Sequence, residues 1–271
     1  MTSLALAVLT SSAFAQTGPM LTPSAFLDLP GHLGLDVLGL TIGKEPNYLT
    51  YSEKNIIQPR TRIDGPVFRL YYTPSDRAEF TAEWNAQTFA IKDPRFGKNI
   101  SDFGDATLRA KLGLAKGEVS ASPAVAVQFE VTLPNTSFGN GLGPNTIRLA
   151  SVLLVGYKTE KLTLNGSGGI AIQDEPLRPH EQRDFGVFSG GFTYKATDSL
   201  DVFADAGGYF GSGVPGAIAK REARAGVLYH RETFGYPSTL YLAARRGLVD
   251  FQGTWGVVAG FSSTIRTGAK P

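Results

Sequence analysis

The chain has 271 residues, a formal net charge of +2, 18% charged residues and 11% aromatics. No Lys/Arg cluster stands out, which argues against nucleic acid as a partner. Cysteine is absent, so disulfides, thiolate metal sites and a cysteine nucleophile are excluded.

The first fifteen residues read as a signal peptide. An apolar run from Leu4 to Leu9 precedes Ala13-Phe14-Ala15, a small-x-small cleavage site, although no basic residue stands before the run. Residues 16–31 contain Leu21, Phe26, Leu27 and Leu29 without clear period, and are expected to form a periplasmic N-terminal segment, either a short plug or an extended lead-in. From 32 to 266 the pattern changes to runs of period two, the signature of strands with different environments on their two faces.

The first predicted strand covers 32–42, where Leu33, Leu35 and Val37 alternate before the pattern breaks down. The second covers 64–73, and Pro66 should sit near its start because proline removes a ladder donor. In the third, Phe80, Ala82 and Trp84 oppose Glu79, Glu83 and Gln87. The fourth, 104–114, sets Ala106, Leu108 and Leu112 against Asp105, Arg109 and Lys111. Val125, Val127, Phe129 and Val131 then oppose Gln128 and Glu130, and after a Gly/Asn-rich connection a sixth strand over 147–158 places Arg148 on the polar parity.

The seventh strand, 162–172, sets Leu162, Leu164, Ile170 and Ile172 against Thr163, Asn165, Ser167 and Ala171, whereas the eighth, 184–195, carries apolar residues on both parities and has no orientation from the sequence. The ninth sets Leu200, Val202 and Ala204 against Asp201 and Asp205. The tenth sets Ala223, Ala225 and Val227 against Lys220, Glu222 and Arg224. The eleventh, 238–248, opposes Leu240 and Leu242 to Arg245, and in the twelfth, 252–264, Trp255, Val257 and Phe261 share one face.

Twelve strands of about ten residues suit a tilted bilayer crossing, and long and short connections alternate as in outer-membrane barrels. Two connections break the alternation: a very short one at 249–250 and a rather long one at 230–237. A soluble exported β-sandwich also alternates, but its strands are usually shorter. The expected fold class is therefore all-β, an antiparallel transmembrane β-barrel of about twelve strands.

The polar parity then lines a lumen: Glu79, Glu83, Asp105, Arg109, Lys111, Gln128 and Glu130 from the first half, and Arg148, Asp201, Asp205, Lys220, Glu222, Arg224 and Arg245 from the second. Such mixed charges admit two readings, a wall of ion pairs that fills the barrel or a narrow polar channel. Phe103, Phe138 and Leu142 lie in or beside outer loops, where an apolar solute could meet them. Enzymatic chemistry finds little footing. The three histidines, His32, His180 and His230, are scattered, and no metal-ligand spacing, nucleophile elbow or phosphate loop is present. No catalytic residue, cofactor or metal is expected.

The segment Phe129-Glu130-Val131-Thr132-Leu133-Pro134-Asn135-Thr136, followed by Gly139-Asn140-Gly141-Leu142-Gly143, resembles a bacterial outer-membrane family named for the phenol-degradation meta-pathway. Asn135 stands where threonine is usual in that family. The resemblance implies an outer-membrane transporter for small, often hydrophobic or aromatic compounds. Expected partners are outer-membrane lipid and lipopolysaccharide, a small solute, and a protein reached through the outer loops or the N-terminal segment. Both termini are expected in the periplasm. The alternative is a closed structural or partner-binding barrel without transport.

Overall fold

The computed structural model describes residues 20–46, 59–93, 96–136, 142–143, 145–174, 182–210, 221–233, 236–248 and 255–266. Fifteen hydrogen-bonded segments form a single antiparallel sheet. They are β1 (His32–Pro46), β2 (Pro59–Asp64), β3 (Val67–Ser75), β4 (Ala78–Asn85), β5 (Thr88–Ile91), β6 (Ile100–Asp102), β7 (Ala106–Glu118) and β8 (Ser122–Leu133). The second half comprises β9 (Arg148–Lys158), β10 (Leu162–Asp174), β11 (Gln182–Lys195), β12 (Leu200–Phe210), β13 (Arg221–Thr233), β14 (Tyr236–Gly247) and β15 (Trp255–Arg266).

The sheet closes on itself. β1 pairs with β15 from His32 opposite Arg266 to Gly43 opposite Gly256. Three staves are each built of two segments, β2 with β3, β4 with β5, and β6 with β7, so the closed wall has twelve staves. Closure follows from elementary energetics, because a sheet edge left open in hydrocarbon would strand a row of backbone donors and acceptors.

The breaks in the divided staves lie side by side. They fall at Gly65-Pro66, at Ala86-Gln87 and at Phe103–Asp105, next to a register shift in β1 between Val37 and Leu40. Pro66 therefore lies between two segments, where no ladder donor is required of it. That shift is also why the alternation of the first predicted strand fails near its end. Backbone bonds sew the row of breaks together: Gly65 N to Gln87 O at 2.9 Å, Ala86 N to Pro66 O at 2.9 Å, and Asn85 N to Asp105 O at 3.2 Å. On the inner side Asp64 Oδ1 accepts from Thr88 Oγ1 at 2.7 Å and from Asn85 Nδ2 at 3.2 Å. Gly65 has φ of +142°, and a Cβ there would lie 2.5 Å from the Gly39 carbonyl oxygen, so this corner requires glycine.

The five connections Ser75–Ala78, Glu118–Ser122, Lys158–Leu162, Lys195–Leu200 and Thr233–Tyr236 are all tight and all lie at one end of the barrel. Two sequence expectations are corrected here. The connection expected to be long at 230–237 is tight, because the ladder continues to Thr233 opposite Tyr236. The connection expected to be very short at 249–250 spans the gap from Gly247 to Trp255, at the end where the long loops gather. The eighth predicted strand, β11, gains its orientation from its neighbours: Phe188, Phe192 and Tyr194 are exposed on the outer face, while Phe185 is buried inside.

The outer face is a continuous apolar belt that includes Leu70, Leu108, Phe129, Leu153, Ile170 and Leu242, all exposed. Aromatic residues gather toward its edges, with Tyr72, Phe80, Tyr194 and Tyr229 near the tight turns and the stacked pair Phe68–Trp84, Phe210 and Trp255 on the loop side. This is the distribution of a wall facing lipid with girdles at both interfaces.

Inside, bulky rings lie flat against glycines of the neighbouring stave. A Cβ at Gly34 would sit 1.7 Å from Tyr71 Cζ, and one at Gly260 would sit 2.3 Å from the Tyr241 hydroxyl. Gly34→Val should therefore displace Tyr71 and destabilise the barrel by about 1–3 kcal/mol. Gly168→Ala, at an outer position with nothing within 4 Å, should leave it unchanged. The thermal midpoint of heat-modifiable gel migration reads both variants, and equal midpoints for the two would refute this packing argument.

Candidate functional site: the barrel lumen

The inward positions carry a chain of alternating charges that passes from stave to stave. Arg69 on β3 contacts Asp36 on β1 at 3.5 Å and Glu83 on β4 at 2.7 Å. Arg109 on β7 bridges Glu83 at 3.1 Å and Glu130 on β8 at 2.8 Å. Arg148 on β9 takes the other oxygen of Glu130 at 2.7 Å. It then reaches past β10 and β11 to donate to the Tyr209 hydroxyl on β12, with its guanidinium carbon 5.3 Å from that ring's centroid. Three carboxylates thus alternate with three guanidiniums over six adjacent staves, half of the circumference.

Strand geometry explains this regularity. Antiparallel pairing sets Arg109 directly opposite Glu130 and Arg69 opposite Glu83, and cross-strand neighbours on one face lie within about 5.5 Å. Glu83 and Glu130 each find a guanidinium on both sides, which offsets the cost of removing these charges from bulk water. The belt is electrically neutral and imposes no single sign on the bore.

Nearer the tight turns, Lys111 on β7 pairs with Glu79 on β4 at 2.7 Å, and Gln128 sits buried opposite Lys111 in register. Across the bore, Glu222 accepts from Arg224 at 2.6 Å and lies 3.8 Å from Arg245. His230 joins Asp201 through Nε2 and Thr239 through Nδ1, both at 2.9 Å. The inner wall here also carries an apolar cluster of Phe203, Leu228, Tyr241, Ala243 and Val258.

Residues 20–31 run through the bore and fill its tight-turn half. The chain starts against the far wall, where Met20 packs on the Phe203 cluster and Thr193 Oγ1 approaches its sulfur at 3.5 Å. Asp205 Oδ2 accepts the backbone N–H groups of Leu21 and of Thr22, the latter at 2.9 Å. The segment then crosses to the opposite wall. Ala25 is buried on Ala124, Ala126, Val152 and Leu154, with Phe26 packed beside it. Lys111 Nζ donates to the Phe26 carbonyl at 3.4 Å. A turn at Leu29–His32, closed by His32 N to Leu29 O at 3.1 Å, then feeds β1. The wall is shaped to receive this chain, since a Cβ on Gly156 would come within 2.7 Å of the Phe26 ring.

The loop-side mouth is narrowed by the connection after β8. Asp105 Oδ1 accepts from the Asn135 and Thr136 backbone at 2.9 and 3.1 Å and from Thr136 Oγ1 at 2.8 Å. Further along, Arg62 Nη1 donates to the Leu142 carbonyl at 2.9 Å. Leu142 is fully buried, so it does not meet solutes at the surface as expected, whereas Phe103 is 65% exposed. Phe138 lies outside the described residues. At the same end Arg60 and Asp93 form a wholly buried ion pair at 2.7 Å.

The candidate residues thus fall into separate groups. Glu83, Arg109, Glu130 and Arg148 form the belt, Glu79 and Lys111 a lower pair, and Glu222, Arg224 and Arg245 a cluster on the far wall. Asp105 and Asp205 hold backbone segments, and Lys220 lies outside the described residues. The candidate set missed Asp36, Arg69 and Tyr209. Arg69 had a signal, since it alternates with Phe68 and Leu70, while Asp36 stands just before the register shift of β1.

No protein-family model and no curated protein matches this chain. Its fold does have relatives among solved structures. The COG4313 outer membrane channel from Pseudomonas putida F1 superposes with a TM-score of 0.60 at 14% identity, covering 88% of this chain and 97% of that one. At such identity the likeness establishes a shared barrel fold. Outer membrane phospholipase A from Escherichia coli reaches 0.44 at 12% identity over 91% and 93% of the two chains. The toluene transporter TodX of Pseudomonas putida reaches 0.38 at 12% over 87% and 88%. Neither is close enough to bear on function.

The belt yields a measurable coupling. Glu130→Gln leaves Arg109 and Arg148 each short of a charged acceptor and should cost about 1–3 kcal/mol, allowing for some water in the bore. The double variant Glu130→Gln/Arg148→Gln should lose less than the sum of the single losses, with a coupling of about 0.5–3 kcal/mol. Strict additivity in thermal unfolding of the detergent-folded barrel would show that the belt is not a connected unit.

Proposed function

We propose that this chain is an outer-membrane channel for small solutes, with its own residues 20–31 as the closure of the tight-turn mouth. The observation that carries this reading is the way that segment lies in the bore. It is secured by the two backbone donations to Asp205, one from Lys111 and apolar contacts at Met20, Ala25 and Phe26, and it joins the wall at β1. A segment that belongs to no strand of the sheet can leave its bed without breaking the ladder that closes the barrel. The shared fold with a solved outer membrane channel supports the same reading.

For the solute we propose a small hydrophobic or aromatic compound. The loop-side half of the inner wall offers Ala171 and Phe185 with Ala150, Val187 and Tyr209 around them, and the strand-and-loop motif ending at Gly143 resembles a transporter family for such compounds. The belt is neutral, which suits an uncharged solute better than an ion. In this reading the barrel performs no catalysis, the tight turns and both termini face the periplasm, and residues 1–15, outside the described part, direct export. A bore so filled also favours a second reading, a permanently closed barrel.

Planar-bilayer conductance and liposome flux of an aromatic probe such as phenol separate the two. Asp205→Ala removes the acceptor of both N–H groups, and should raise the displaced population roughly tenfold or more. Flux should rise in step while the barrel stays folded. If neither the native chain nor the variant passes solute, the channel reading fails and the closed barrel stands.

A further inference from the structure

The lipid-facing belt carries a shallow apolar groove of about 500 Å³ on the outer wall of β11–β14. Its floor is made of small outward residues, Gly190, Ala204, Ala206, Ala223, Ala225 and Ala244. The register explains the groove's continuity. Gly190 lies opposite Ala206, which lies opposite Ala223, and Ala204, Ala225 and Ala244 form a second row across β12, β13 and β14. Small outward residues elsewhere, such as Ala82 between Leu70 and Leu108 or Gly168 between Leu153 and Phe188, have large neighbours across the ladder, whereas here small residues face one another.

The loop-side rim of the groove is cationic. Arg246 lines it and lies over the Trp255 ring, 4.7 Å from the centroid. Arg221, exposed at the start of β13, is its diagonal neighbour, because Arg246 stands opposite Ala223. Two like charges at diagonal positions of one face repel each other. Among the described outward residues in the loop-side halves of β12–β15 no carboxylate offsets them. An apolar bed topped by two guanidiniums and a tryptophan at the interface matches an amphiphile with acyl chains and an anionic, phosphate-bearing head.

We propose that this groove is a binding site for lipopolysaccharide, with acyl chains on the Gly/Ala floor and a head-group phosphate between Arg221 and Arg246. The long loops face the outer leaflet in the orientation proposed above, and that leaflet presents such a lipid at the height of the rim. A bridging phosphate turns the repulsion between the two arginines into a pair of charge-assisted hydrogen bonds. A second copy of the chain fits less well, since a symmetric contact through this face brings the same cations together.

The test is native mass spectrometry of the full chain purified from outer membranes in mild detergent, followed by rebinding of purified lipopolysaccharide in the same detergent. The wild-type barrel should retain lipopolysaccharide and rebind it. Arg221→Glu/Arg246→Glu should weaken rebinding at least tenfold while heat-modifiable migration is unchanged. Ala206→Leu/Ala225→Leu, which fills the floor and leaves the charges in place, should weaken it also. Equal rebinding by the charge-reversed barrel overturns the proposal, and so does a wild-type barrel that carries only phospholipid or appears as a dimer. Inorganic phosphate that competes fully with the lipid also counts against it, since the floor would then contribute nothing. Rebinding is measured without flux, so failure here is separate from failure of the channel reading.

Discussion

Every feature of this molecule depends on one constraint, that no backbone donor or acceptor in the wall be left for hydrocarbon to satisfy. The pairing of β1 with β15 removes both edges at once. The same constraint governs the row of breaks in the first four staves. Three interruptions and a register shift lie side by side, and backbone bonds such as Gly65 N to Gln87 O close the gaps between them. An isolated break would leave unpaired groups on both neighbours, whereas an aligned row allows each irregular stave to pair with the next.

Closure divides the side chains into two populations with opposite requirements. Outward residues need only be apolar, and Leu, Phe and Val recur there among aromatics and smaller Gly and Ala. Inward residues enter a narrow space where a lone charge is expensive. Antiparallel register places opposite charges face to face, as with Arg109 and Glu130 or Arg69 and Glu83. The belt is therefore a consequence of the ladder as much as of the charges, and its neutrality follows from strict alternation over six staves.

Residues 20–31 lie within the bore and belong to no strand. They share no ladder with the wall and are positioned by side chains that reach inward, Asp205 from one side and Lys111 from the other. Glycine at 156 makes room for Phe26, and glycines at 34 and 260 let Tyr71 and Tyr241 lie flat.

Much of this was written in the amino-acid order. Period-two alternation determined which residues of β7, β8 and β9 face lipid and which face the bore, because the pleat has no other way to place them. The alternating runs pointed to about twelve staves, and the closed sheet has twelve. What the sequence could not show was any relation between residues far apart along the chain. The orientation of β11, apolar on both parities, came only from its pairing with β10 and β12. The tight turn at Thr233–Tyr236 came from a ladder that outlasts its hydrophobic pattern. Asp105 and Asp205, alike in sequence as inward carboxylates, diverged because one meets the connection after β8 and the other meets Leu21 and Thr22. Local pattern fixes the face a side chain takes, whereas its partner is decided by curvature and closure, which bring together staves that the chain order keeps apart.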